Sequence, residues 1–126
     1  MRIPTTRLTF DDIGYEGYFV VLPRSVKEGF VYDLGQLAAP KAVGDDEGAK
    51  AAAAAEQGRD VNIRFLELIT EWNLDDDAGK VLPLLRDCKT REKKADVVKE
   101  VPVEVIRAIA ERLTATATVT ERVKGF

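Results

Sequence analysis

The sequence predicts a small α+β domain that is mainly helical and has an N-terminal β-hairpin. Three patterns support this prediction: strand-like alternation before residue 22, a helical apolar pattern that ends at residue 72, and an amphipathic pattern from residue 102. A chain of 126 residues is typical of one domain that buries a core without disulfides. We therefore expect a single domain over residues 1–113 and a separate tail over residues 114–126.

The predicted hairpin spans residues 3–22. In its first strand Leu8 and Phe10 alternate with polar neighbours, and residues 11–14 have the composition of a turn. Residues 15–22 are rich in the aromatic and β-branched side chains that favour strands. Because two strands alone are marginally stable in water, the hairpin must pack on helices or pair with another chain.

The first predicted helix spans residues 25–38. It begins with a capping-box sequence, in which the Ser25 hydroxyl and the Glu28 carboxylate bind free backbone N–H groups at the helix start. Its apolar stripe consists of Val26, Phe30, Val31, Leu34 and Leu37. Pro40 ends this pattern, and the Pro, Gly and acidic residues of 40–48 predict a loop.

The second predicted helix spans residues 50–72 and has the clearest apolar pattern. Five of its larger side chains fall within one arc of about 100°, and they are Val61, Phe65, Leu68, Ile69 and Trp72. Ile63 and Leu66 extend the apolar surface beyond this arc, so either several elements of the chain or a partner must cover the helix. Trp72 is the only tryptophan, and it is either a core anchor or an interface hot spot.

Acidic and turn-forming residues predict a turn over residues 73–80. The run of three aspartates from Asp75 suggests calcium, but an EF-hand loop that starts there would place Lys80 at the invariant glycine position. We therefore interpret the run as an acidic turn between helices. A short apolar piece follows, and the charged residues 86–94 are predicted to form a solvated face or a loop.

The third predicted helix spans residues 102–113. Pro102 suits a first helical position, because its missing N–H is not needed there. The apolar side of this helix consists of Val105, Ile106, Ile109, Ala110 and Leu113. The threonine-rich residues 114–126 have lower helix propensity and no firm periodicity, which predicts a frayed tail.

The composition excludes several classes of enzyme. The chain has no histidine and one cysteine, so histidine-dependent triads, histidine-ligated metal sites and CxxC redox pairs cannot form. It also lacks a glycine-rich phosphate-binding motif, and the spacing of its carboxylates selects no acid–base pair. We therefore predict no enzymatic activity, no cofactor and no metal site.

Charge and hydropathy indicate a cytoplasmic protein. The 22 acidic and 19 basic residues give a net charge of -3, which disfavours binding to nucleic acid. No apolar run approaches the roughly 18 residues that span a bilayer, and no apolar signal segment follows the first residues. The single Cys88 fits a reducing compartment.

Five short motifs occur in order along the chain. They are YEGYFVV at 15–21, EWNL at 71–74, the Asp-rich turn that ends in Gly79-Lys80, LPL at 82–84 and VPVEVI at 101–106. Together they resemble the tail assembly chaperones of long-tailed bacteriophages and prophages. In that family the motifs recur as a fold pattern, so the resemblance implies no catalytic residues. Val101 stands where a leucine is usual.

The resemblance implies a protein that binds the tape measure protein during tail assembly, keeps it soluble in the host cytoplasm and is absent from the finished virion. A tape measure protein is long, largely helical and apolar, and an amphipathic partner covers such stripes by helix-in-groove packing. We expect Ile63, Leu66 and Trp72 to bind this partner, and we expect a homo-oligomer. The alternatives are a structural head–tail completion or minor tail protein, and a small cytosolic adaptor protein.

Overall fold

The computed structural model describes residues 3–38 and 47–124, and it describes side chains over residues 3–37 and 47–115. It confirms an α+β domain with an N-terminal hairpin and a three-stranded antiparallel sheet. The elements are β1 (Thr5–Phe10), β2 (Tyr15–Pro23), α1 (Glu28–Ala38), α2 (Glu47–Leu66), β3 (Glu71–Trp72), α3 (Arg91–Glu100) and α4 (Val103–Lys124). Within the described residues, no helix is both long and apolar enough to cross a membrane.

The hairpin forms as predicted. Strands β1 and β2 pair antiparallel, with Thr5 opposite Pro23 and Leu8 opposite Val20, and the register shifts at Phe10. The turn residues 11–13 form one 3-10 turn. Gly14 follows at a φ of 92°, a conformation that glycine adopts without steric cost.

One hydrophobic core lies between one face of the sheet and the helices. The side chains of β2 alternate, so that Val20 and Leu22 point into the core while Val21 points away from it. The largest fully buried residues are Phe10, Val20, Leu22, Leu66, Ile69, Leu85, Val105, Ile109 and Leu113. The hairpin and the helices therefore bury each other's apolar side chains.

Helix α1 begins three residues later than predicted. Its first carbonyl acceptor is Lys27, which accepts hydrogen bonds from the N–H groups of Phe30 at 3.0 Å and Val31 at 3.3 Å. Ser25 therefore lies outside the helix, and the predicted capping box is wrong as the helix start. Residues 40–46 of the predicted loop lie outside the described residues. Residues 47 and 48 are helical, because α2 begins at Glu47.

Helix α2 ends at Leu66, six residues before the predicted end. The N–H of Ile69 bonds to the Leu66 carbonyl at 3.2 Å, so the last turn tightens to i→i−3 spacing. The N–H of Thr70 then bonds to the Val21 carbonyl at 2.9 Å, which attaches the chain to the open edge of β2. Trp72 consequently lies in β3, and the prediction that it ends a helix is wrong.

Two further helical segments correct the predictions for the C-terminal half. Helix α3 occupies residues predicted as a solvated face or loop, and the Thr90 hydroxyl caps it by accepting from the Lys93 N–H at 3.2 Å. Helix α4 continues to Lys124, so the predicted frayed tail is helical through that residue. The Thr114 hydroxyl donates back to the Ala110 carbonyl, a local bond that lets threonine remain in a helix.

Ion pairs on the surface orient the first three helices relative to one another. Arg64 of α2 pairs with Asp33 of α1. Arg91 of α3 bonds to Asp60 at 2.7 Å and to Glu56 at 2.8 Å, both on α2. These carboxylates raise the pKa of Arg91. Because these groups are partly or fully exposed to water, the pairs set helix orientation more than stability.

Candidate functional site

Residues from four of the five sequence motifs meet in three dimensions. We call this set the motif cluster, and it consists of Gly17, Tyr18, Phe19, Trp72, Asn73, Asp75, Asp76 and Leu82. Its members come from the N-terminal half of β2, from β3 and from the turn that follows β3. Hydrogen bonds join residues that are 54 to 57 positions apart in the chain.

Asn73, which follows β3, joins this strand to the N-terminal half of β2. Its Oδ1 accepts from the Phe19 N–H at 2.8 Å, and its Nδ2 donates to the Gly17 carbonyl at 2.7 Å. The side-chain amide therefore supplies one donor and one acceptor, as a further residue of a paired strand would. Gly17 has a φ of 83°, which turns its carbonyl toward this amide and favours glycine there.

Trp72 anchors the segment that follows the acidic turn. Its indole Nε1 donates to the Leu82 carbonyl at 2.8 Å, and the N–H of Leu82 donates to the Leu74 carbonyl at 2.8 Å. The ring itself is buried among the core residues. This arrangement joins the segments around Trp72 and Leu82, because each supplies a hydrogen-bond partner to the other.

The acidic turn is built by Asp76. The Asp76 Oδ1 accepts from the N–H groups of Ala78 and Lys80, both at 2.9 Å. Gly79 has a φ of 81°, which places it in the left-handed region that glycine occupies without strain. The Asp76 carboxylate therefore stabilises the turn itself, and no group of metal-ligating side chains is found within the described residues.

Tyr18 and Asp75 connect the hairpin to the acidic turn. The Tyr18 hydroxyl donates to the Asp75 Oδ1 at 2.8 Å. This hydrogen bond, together with the negative charge of Asp75, raises the pKa of Tyr18 above its usual value. The phenol is thus held in its protonated, donating form.

We expect this bond to make the stability of the domain fall as the pH becomes alkaline. Because the folded pKa of Tyr18 lies above the unfolded value of about 10, the stabilisation is complete below about pH 10 and is lost as the pH rises through the folded pKa. Tyr18→Phe removes the bond and this pH dependence. Denaturation of both proteins between pH 8 and 11 should show their stability difference shrinking as pH rises, and a constant difference would contradict the prediction.

Two open clefts border the acidic turn. One has a volume of about 220 Å³ and is lined by Tyr15, Tyr18, Asp75, Asp76, Asp77, Glu100, Pro102 and Val105. The other, of about 460 Å³, shares Asp76, Asp77 and Glu100 with the first. The Tyr15 hydroxyl donates to Glu104 at 3.3 Å near the first cleft, and partial burial and the charge of Glu104 raise the pKa of Tyr15.

The three residues predicted to bind a partner are all in the core. The exposed fraction is 6% for Ile63, 0% for Leu66 and 7% for Trp72. Ile63 and Leu66 therefore lie in the core and not on an open flank of α2, because α1, α3 and α4 pack against that helix. The apolar pattern of α2 predicted surplus apolar surface but did not indicate which elements cover it.

The exposed large apolar residues lie elsewhere. They are Ile13, Tyr32, Val81 and Val103. Val81 forms a β-bridge with Asp75, and Val103 follows Pro102 in the chain. Asp75 and Pro102 both line the 220 Å³ cleft. The sequence could have predicted that Val103 is exposed, because this residue lies about 100° from the centre of the apolar arc of α4.

Comparison with known proteins adds no relative. No protein-family model, no curated protein and no solved structure matches the chain.

Proposed function

We propose that this protein is a tail assembly chaperone of a long-tailed bacteriophage or prophage, which binds the tape measure protein and keeps it soluble in the host cytoplasm. The observation that carries the proposal is the motif cluster. Short motifs whose order resembles that family are joined directly, by the Asn73 amide to β2 and by the Trp72 indole to Leu82.

The chemistry of the cluster supports a non-enzymatic role. The Asn73 amide completes the sheet, the Asp76 carboxylate holds the turn, and the Asp75 carboxylate accepts from Tyr18. Each polar side chain therefore satisfies a backbone or side-chain group of the fold. This use is typical of a structural pattern, as the resemblance implies, and differs from an active site, in which polar groups converge on a substrate.

The partner surface that we propose lies around the 220 Å³ cleft. It includes Val81, which is 57% exposed, and Val103, which is 62% exposed. Their neighbours Asp75 and Pro102 line the cleft together with the acidic residues Asp77 and Glu100. Apolar side chains of a helical tape measure segment would bury these valines. The surrounding acidic groups, in a protein with net charge -3, would keep the complex in solution.

Co-expression with the tape measure protein encoded beside this gene tests the proposal. Wild-type protein should raise the soluble yield of the tape measure protein, and Val81→Asp combined with Val103→Asp should reduce that yield several-fold without lowering the melting temperature. Tyr32→Asp is the matched control, because it adds a charge to an equally exposed residue on α1. It should behave as wild type.

Three outcomes would count against the proposal. If wild-type protein does not solubilise the tape measure protein, the chaperone function is wrong. If mass spectrometry finds the protein in mature virions, a head–tail completion or minor tail protein is the better assignment. A gene with no tape measure gene nearby would favour the adaptor alternative.

A further inference from the structure

The two faces of the sheet differ in composition. The register aligns Leu8, Val20 and Trp72 in one row across the three strands, and this row faces the core. The neighbouring row points to the opposite face and consists of Arg7, Val21 and Glu71. We call it the outer row, and its charges run in the order positive, apolar, negative.

The outer face has partly exposed apolar side chains and two charged side chains, Arg7 and Glu71. Phe19 and Val21 are only partly buried on this face, and Arg7 and Glu71 are exposed. The Arg7 guanidinium lies 4.1 Å from the centroid of the Phe19 ring, a cation–π contact that orders the arginine above the sheet. Among the ion pairs of residues 3–37 and 47–115, none involves Arg7 or Glu71.

We propose that a second copy of this chain covers the outer face, in a dimer whose two-fold axis runs parallel to β2 over Val21. Arg7 on β1 and Glu71 on β3 each pair with Val21 of the central strand β2. They therefore lie about 10 Å apart across the sheet, which is two strand spacings. A half-turn about this axis places Arg7 over Glu71 of the partner subunit, and Glu71 over the partner subunit's Arg7. The outer row is therefore complementary to itself.

The remaining chemistry of this face favours the same arrangement. The rotation brings Val21 and Phe19 against their own copies, at the roughly 10 Å separation of two packed sheets. Arginine matches a carboxylate with two parallel hydrogen bonds, and arginine and aromatic residues are enriched at protein interfaces. An axis perpendicular to β2 would instead place Arg7 over Arg7, which like-charge repulsion disfavours. The dimer does not depend on the proposed chaperone function.

Charge exchange between Arg7 and Glu71 tests this dimer. Sedimentation equilibrium of the full chain should show a wild-type dimer. Arg7→Glu alone and Glu71→Arg alone should each raise the dimer dissociation constant by about tenfold or more, because each places like charges together. The double variant R7E/E71R restores opposite charges in reversed order, and its dissociation constant should return to within about threefold of wild type.

A matched control separates the location of the charge from its sign. Glu16→Arg makes the same change as Glu71→Arg at an exposed residue outside the outer row, and it should leave the dimer intact. Glu71→Gln, which removes the charge without adding another, keeps the test valid if a charge reversal unfolds the domain, and it should weaken the dimer by a smaller factor. A monomeric wild type, a dimer insensitive to both single exchanges, or a double variant without recovery would each overturn the proposal.

Discussion

Leu66→Asp is expected to unfold the domain. Leu66 is fully buried at the end of α2, where no described polar or charged residue is buried to pair with an introduced carboxylate. The change removes apolar contacts that contribute about 2–5 kcal/mol and adds the cost of burying a charge. Their sum approaches the total free energy of unfolding of about 5–15 kcal/mol that is usual for a domain.

Fluorescence of the single tryptophan, Trp72, follows this loss directly, because unfolding exposes the ring to water. Leu66→Met is the matched control, since it preserves side-chain volume and should cost less than about 1.5 kcal/mol. A cooperative Leu66→Asp protein that melts at the wild-type temperature would show that Leu66 is accessible. It would then restore this residue as a partner-binding candidate.

Trp72→Ala should lower the free energy of unfolding by about 3–5 kcal/mol through the cavity that it leaves in the core. The Leu82 carbonyl would also lose the indole donor at 2.8 Å, and an unsatisfied buried acceptor costs about 1–3 kcal/mol. The expected effect is therefore similar to that of Leu66→Asp. It has a different origin, because the tryptophan both fills the core and holds the 82–84 segment.

Trp72→Phe separates these two contributions. Phenylalanine keeps much of the ring volume but has no N–H, so its cost should lie below that of alanine and above zero. Chemical denaturation followed by far-ultraviolet circular dichroism provides the measurement, because both variants lack tryptophan fluorescence. Equal stability of Trp72→Phe and wild type would mean that the bond to Leu82 adds nothing.

Local sequence signals predicted the elements whose causes are local. The hairpin was predicted from alternation and turn composition, and α4 from Pro102 and the apolar side of the helix that follows. The capping-box sequence at Ser25 led to a wrong prediction of where α1 begins, because the same four residues can follow a strand without starting a helix. Helix α3 was missed, since its few apolar residues, Ala95, Val97 and Val98, follow a highly charged turn.

The candidate site was predicted only in part. The motifs of the cluster were all identified in the sequence, but nothing local indicated that the Asn73 amide would bond to β2. The apolar pattern instead predicted one helix that continues to Trp72, with a partner surface at Ile63, Leu66 and Trp72. In the structure the chain leaves the helix at Leu66, and the elements that follow cover these side chains.

The sequence by itself determined the α+β class, the hairpin, the absence of histidine chemistry and the motifs, because each depends on composition or on residues a few positions apart. Only the tertiary structure decided where α2 ends, which apolar residues are covered and which face of the sheet packs on the core. The free edge of β2 offers Thr70 a backbone partner at Val21, 49 positions away. This long-range pairing satisfies the backbone N–H of Thr70 outside the helix. Local helix propensity alone would have predicted that the helix continues to Trp72.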